Sequence, residues 1–112
     1  MTAIDLITKF TFHDSLITGV DAINNGSIIK MQIDFAFWMQ PGYKDTDPET
    51  GLILLTFSNV SKSQIPSTKW EETSILDVIA RDEYVVFSLI NEFTDESLEI
   101  KIQSNDIEIS IL

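Results

Sequence analysis

Residues Ile28 to Gln40, IIKMQIDFAFWMQ, constrain the fold more tightly than any other stretch. Ile29, Met31, Ile33, Phe35, Phe37 and Met39 alternate with Lys30, Gln32, Asp34, Ala36, Trp38 and Gln40. A period of two sends successive side chains to opposite faces of an extended strand, one face for a core and one for water. The pattern predicts a strand of up to thirteen residues, longer than most. Such a ribbon belongs in the interior of a sheet.

The neighbouring turns set its pairing. Asn25-Gly26 is a two-residue hairpin signal, because both residues tolerate the positive φ that such turns need. Counting outward from it places Ile29, Met31, Ile33 and Phe35 opposite Ala22, Val20, Thr18 and Leu16, with Lys30 facing Asp21 as an ion pair. A slip of one residue would exchange the two faces. Farther back, Asp14 falls on the apolar face, so a β-bulge or corner is expected at Phe12-His13-Asp14-Ser15. Phe10 and Phe12 then belong to a segment turning over the core, while residues 1–9 fit either a short helical turn or an edge strand.

Two further hairpins follow from the same counting. A turn at Asp82-Glu83 pairs Ala80, Val78 and Leu76 with Val85, Phe87 and Leu89, and Ile79 with Val86 on the opposite face. Both faces of this hairpin are largely apolar, which predicts a central position or cover on both sides. A turn at Ser104-Asn105 pairs Ile102, Ile100 and Leu98 with Ile107, Ile109 and Ile111, with Lys101 opposite Glu108. Leu52 to Val60 reads as another strand, and Ser61 to Thr73, containing Pro66, as a loop. No repeat or linker interrupts residues 1–112. The expectation is a single all-β domain, an antiparallel β-sandwich or partly open barrel of about seven to eight strands joined mostly by hairpins.

Charge narrows the function classes. Eighteen acids against seven bases give a formal net charge of −11, spread over both halves of the chain. A nucleic-acid binder needs a basic surface, and an anionic membrane surface would repel this one. A basic protein partner would be steered toward it, and the same charge favours solubility. There is no cysteine, which removes disulfides and thiolate chemistry, and a single histidine, His13, which removes any two-histidine metal site. No apolar run is long enough for a membrane helix. The opening MTAIDLITKF lacks the basic and apolar regions of a signal peptide, so a cytoplasmic location is expected.

Candidate sites are few. His13, Asp14 and Ser15 are the residue types of a hydrolase triad, but side by side, whereas a triad needs the imidazole between groups from separate elements. His13 and Asp14 are therefore expected to build a structural corner, and no catalytic residue, cofactor or metal ligand is assigned. The stretch Gln40 to Gly51, QPGYKDTDPETG, spaces Asp45, Asp47 and Glu49 alternately, yet its glycine and glutamate positions do not match a helix-loop-helix calcium site. Trp38 points to the wet face of the central strand, Tyr43 stands in the acidic loop, and Trp70 precedes Glu71 and Glu72. Aromatics beside acids are suited to anchoring a basic protein. Trp38, Tyr43, Asp45, Asp47, Glu49 and Trp70 are accordingly the expected partner-binding residues. The competing reading is core packing for Trp38 and a solvated connection for the loop.

The entry Phe12-His13-Asp14-Ser15-Leu16-Ile17, with the later strand Leu55-Thr56-Phe57-Ser58-Asn59-Val60, resembles small bacterial β-rich domain families whose first strand carries a His-Asp-Ser entry motif. Some of these are immunity proteins of toxin systems. The resemblance implies a β-rich fold and a protein-binding role, without assigning site residues. The leading expectation is a non-enzymatic acidic domain that neutralises a basic partner. The alternatives are a small-ligand or divalent-cation site in the 40–51 loop, and a homo-oligomer paired through an edge strand.

Overall fold

The computed structural model describes all 112 residues. A helix, α1 (Ala3–Lys9), is followed by eight antiparallel strands: β1 (Leu16–Ile23), β2 (Ile28–Ala36), β3 (Thr50–Ser58), β4 (Lys62–Gln64), β5 (Thr73–Arg81), β6 (Tyr84–Asn91), β7 (Ser97–Gln103) and β8 (Asp106–Ile111). They form one sheet in the order β4-β7-β6-β5-β1-β2-β3-β8. The architecture is all-β and antiparallel, an open sheet curled on itself as expected of a sandwich or partly open barrel.

The curl hinges at the β1–β5 seam, where only Leu16↔Ser74 and Ile17↔Thr73 are paired. On one side lies the half β1-β2-β3-β8 and on the other β5-β6-β7-β4, and their inward faces share a core. Ile29, Met31, Ile33, Phe35, Ile53, Leu55, Phe57 and Ile107 from the first half join Ile75, Val85, Phe87, Leu89, Ile100 and Ile102 from the second. Phenylalanines link the layers, with Phe12 set 5.3 Å from Phe35 and 6.3 Å from Phe87 between ring centroids, and Phe57 6.4 Å from Phe87. Each such tilted contact adds about 0.5–1.5 kcal/mol beyond the area it buries.

The β1–β2 register follows the counting from Ala22↔Ile29 to Gly19↔Gln32 and then shifts by one at a bulge beside Thr18. Ile17 faces Ile33 and Leu16 faces Asp34, one residue off the expected alignment. The bulge turns Ile17 into the core and Thr18 to solvent, which the apolar preference of the inner face demands. Asp21 sits opposite Lys30, but no ion pair closes there; the ion pairs are His13–Asp14 and Lys101–Glu99. The β5–β6 hairpin likewise keeps its predicted register from Arg81↔Tyr84 to Asp77↔Ser88 and slips beyond a bulge at Leu76. Ile75, instead of Leu76, therefore faces Leu89.

The Ser104-Asn105 hairpin does not form. Both edges of β7 are occupied, by β6 and β4, so β8 crosses to the other half and pairs with β3. Lys101 consequently never meets Glu108. Two links cross side by side here, Asn59–Ser61 out of β3 and Ser104–Asn105 out of β7. Ser104 Oγ donates to Ser58 O at 2.6 Å, Ser61 N donates to Gln103 O at 3.2 Å, and Asn59 Nδ2 donates to Asp106 Oδ2 at 3.0 Å. The predicted Ser61–Thr73 loop thus contains a three-residue edge strand, β4.

Residues 1–9 resolve to a helix. Thr2 caps α1 by accepting from Asp5 N, while Asp5 accepts from Thr2 N, a reciprocal capping box. Ala3 and Leu6 enter the core. Met1 exchanges two backbone bonds with Ile107, occupying part of the free edge of β8.

Candidate functional site

Antiparallel strands send alternate connections to opposite ends of the sheet. The segment 37–49 between β2 and β3, the segment 65–72 before β5 and the tip 92–96 between β6 and β7 all emerge at one end. Eight of the eighteen acids lie in these three segments, Asp45, Asp47, Glu49, Glu71, Glu72, Glu92, Asp95 and Glu96, against Lys44 and Lys69. Two of the segments are bonded together: Glu92 N donates to Glu72 O at 2.8 Å.

The alternation of IIKMQIDFAFWMQ outlasts its strand. β2 stops at Ala36, and Phe37–Met39 form a 3-10 turn. The strand, expected to run to as many as thirteen residues, is nine residues long. Its end is built from two directions. Ser15 Oγ, fully buried, accepts from Ala36 N at 2.9 Å. Phe37 folds back edge-on to Phe35 at 5.6 Å and lies over Gly51, where a Cβ would stand 2.5 Å from its ring. With Phe37 tucked in, Trp38 is turned outward and remains 48% exposed, held by its N–H to Glu49 O at 3.1 Å.

The loop that follows is two tight turns. Gln40-Pro41-Gly42-Tyr43 closes with Tyr43 N donating to Gln40 O, with Gly42 at φ +81°, the residue order a type II turn favours. Lys44 to Asp47 closes with Asp47 N donating to Lys44 O at 2.8 Å, and Asp47 Oδ2 accepts from Lys44 N. Tyr43 Oη donates to Asp47 O at 3.2 Å. Trp38, Tyr43, Asp45 and Glu49 thereby surround one hollow of about 400 Å³. Burial first, then the charges of Glu49, Asp45 and Asp47, hold the Tyr43 phenol above its ordinary value of 10.0.

Of the six residues expected to bind a partner, four line this hollow, and Asp47 fastens the loop. Trp70 does not reach it; it packs half-buried against the core. Phe93 was missed in the sequence and is 75% exposed at the tip between β6 and β7. Its signal was an aromatic inside the otherwise polar run Asn91–Glu96. Asn91 Oδ1 accepts from Phe93 N and Thr94 N, so the tip is a formed turn. Nowhere do three acidic or histidine side chains converge as a metal cluster.

His13 and Asp14 form a corner. Phe12 to Ser15 is a turn closed by Ser15 N to Phe12 O at 3.0 Å, with Asp14 at φ 66°. It docks on the β5 bulge: His13 Nδ1 donates to Leu76 O at 2.8 Å and Asp14 N to Ile75 O at 3.1 Å. The Ser15 hydroxyl is enclosed and engaged with Ala36, so it presents no nucleophile to a substrate. No helix is long and apolar enough to cross a membrane. Comparison with models of known families, with curated proteins and with solved structures finds no match to this chain.

Proposed function

We propose that this is a non-enzymatic protein-binding domain whose acidic end receives a basic protein. The observation that carries the reading is the exposure of Trp38 and Phe93 on formed turns among eight acids at one end of the sheet. Exposed aromatics held in place lose little side-chain freedom on binding and make good anchors. The surrounding carboxylates would speed encounter with a cationic surface. The immunity-type role, neutralising a basic toxin in a bacterial cytoplasm, is the specific form of this reading that the His-Asp-Ser resemblance suggests.

Immobilised protein, the Trp38→Ala and Phe93→Ala variants and an Asp45→Asn/Glu49→Gln variant would be challenged with lysate of cells encoding the gene. A basic protein retained by the parent, released between about 0.1 and 0.5 M salt as screening shortens, and lost from the aromatic variants is the expected result. Equal retention by all four proteins, or retention that ignores salt, would overturn the reading.

A further inference from the structure

The outer face of the β5–β6 hairpin sets Ile79, Tyr84 and Val86 among polar side chains, and only the inner face is covered. Its inner face lies in the core, whereas no loop or helix crosses the outer face. A hollow of about 770 Å³ there is lined only by β4, β5, β6, β7 and the turn joining β5 to β6. Strand register arranges the outward side chains in rows. Arg81, Tyr84, Gln103 and Lys62 form the first; Ile79, Val86, Lys101 and Gln64 the second; Asp77, Ser88 and Glu99 the third. Each four-residue row spans about 14 Å at the usual strand spacing. Val86 is only 6% exposed although no element covers it, and Ile79 and Tyr84 are half-buried beside it. The floor is apolar and the flanks are long cationic side chains.

The lining of this hollow carries a small net charge opposite in sign to that of the molecule. Lys62, Arg81 and Lys101 are three of the seven bases and include the only arginine; Asp82 and Glu99 are the two acids in the lining, and Asp77 stands in the third row of the same face. Four bases against sixteen acids remain for the rest of the chain. Lys101 is engaged by Glu99 at 3.4 Å. Arg81 and Lys62 take part in neither of the ion pairs in the structure, so both are free to meet an incoming anion.

We infer that the outer face of β4-β7-β6-β5 is a binding site for a small organic anion, a carboxylate or phosphate carried on an apolar body. The apolar body lies on Ile79, Tyr84 and Val86, and the charged group meets Arg81 and Lys62. The volume matches pockets for small molecules, which run to about 300–1,000 Å³. A folded acidic protein would need about 800 Å² of its partner's surface, more than this hollow presents. Elsewhere the chain carries a large excess of acids, which disfavours anion binding there.

The probe is anilinonaphthalene sulfonate, an anion on an aromatic body, followed by amide chemical-shift mapping of the full chain with inorganic phosphate as competitor. Saturable shifts centred on Ile79, Tyr84, Val86 and Lys101, reversed by phosphate, are expected. The paired substitution Arg81→Gln/Lys62→Gln weakens binding about tenfold or more, the scale of a lost charge-assisted hydrogen bond. Glu99→Gln, which releases Lys101, strengthens it. All three positions are substantially solvent-accessible, and the unliganded spectra confirm that each variant is folded. Shifts centred on Phe10, Phe37, Ile53 and Ile109, which line a separate apolar hollow of about 390 Å³, would overturn the inference. So would an affinity unchanged in the Arg81→Gln/Lys62→Gln variant.

Discussion

Thr73 is the one residue whose buried side-chain polar atom has no partner. Its Oγ1 lies at the β1–β5 seam, fully enclosed, with nothing to bond. An unsatisfied buried hydroxyl costs about 1–3 kcal/mol, so Thr73→Val, which keeps the branched shape, is expected to stabilise the protein by about 1 kcal/mol. Urea unfolding of the two proteins measures this, and a lower midpoint for the variant would contradict it. Tyr43 offers a second test. Its charged form is the phenolate, and its folded value is raised above 10.0 by burial and then by Glu49, Asp45 and Asp47. The neutral phenol therefore contributes stability that is complete below the unfolded value and lost as pH rises through the folded one. Absorbance titration of the phenolate, with Tyr43→Phe subtracted to isolate this ring, should show a midpoint above 10.0. Neutralising Asp45, Asp47 and Glu49 as amides should lower that midpoint but leave it above 10.0, because the contribution of burial remains.

Among the elements, the junction of the Phe12–Ser15 corner with the end of β2 has the sharpest expected response. Ser15 Oγ is the acceptor for Ala36 N, and both residues are buried. Ser15→Ala leaves that N–H without a partner, at a cost of about 1–3 kcal/mol. The loss should show as a lower unfolding midpoint with an unchanged slope, and a loss under about 0.5 kcal/mol would remove Ser15 from this role. The same junction shows what the sequence can reveal. Near the turns, register was legible, because Asn25-Gly26 and Asp82-Glu83 set the alignment and the apolar faces agreed with it. Away from the turns it was lost at Thr18 and Leu76, where a single extra residue bulges out with no residue type that announces it. The β7–β8 hairpin failed for a different reason. Ile102, Ile100 and Leu98 match Ile107, Ile109 and Ile111 as apolar faces, but alternation specifies a buried face and not which strand lies beside it. Occupation of the free edge of β7 by β4, three residues with no apolar signal, decided the topology. In the site, Trp38 was found for the wrong geometry: the alternation placed it on a strand, whereas the Phe37–Gly51 contact ends the strand and turns it outward.

For the whole molecule, charge is unevenly distributed and almost unpaired. Eighteen acids face seven bases and one histidine, and only two close pairs form, His13–Asp14 and Lys101–Glu99, both at the surface. Exposed pairs contribute about 0–1 kcal/mol each, so attraction between neighbours does little to offset the self-repulsion of a formal charge of −11. The eight acids at the loop end concentrate that repulsion where the aromatic side chains are exposed. Added salt shortens the range of exposed charges from about 30 Å at 0.01 M to about 10 Å at 0.1 M. It should therefore weaken repulsion more than it weakens the two pairs. The melting temperature is expected to rise by several degrees between these salt concentrations, and to level off at higher salt once neighbouring acids no longer sense one another. Replacing Asp45, Glu49, Glu92 and Glu96 with their amides should remove part of the rise, because it relieves the same repulsion by another route. A melting temperature that falls with salt would mean that attractive pairing governs this surface. Equal salt responses in parent and variant would place the repulsion away from the loop end, and would weaken the case that these carboxylates wait for a cationic partner.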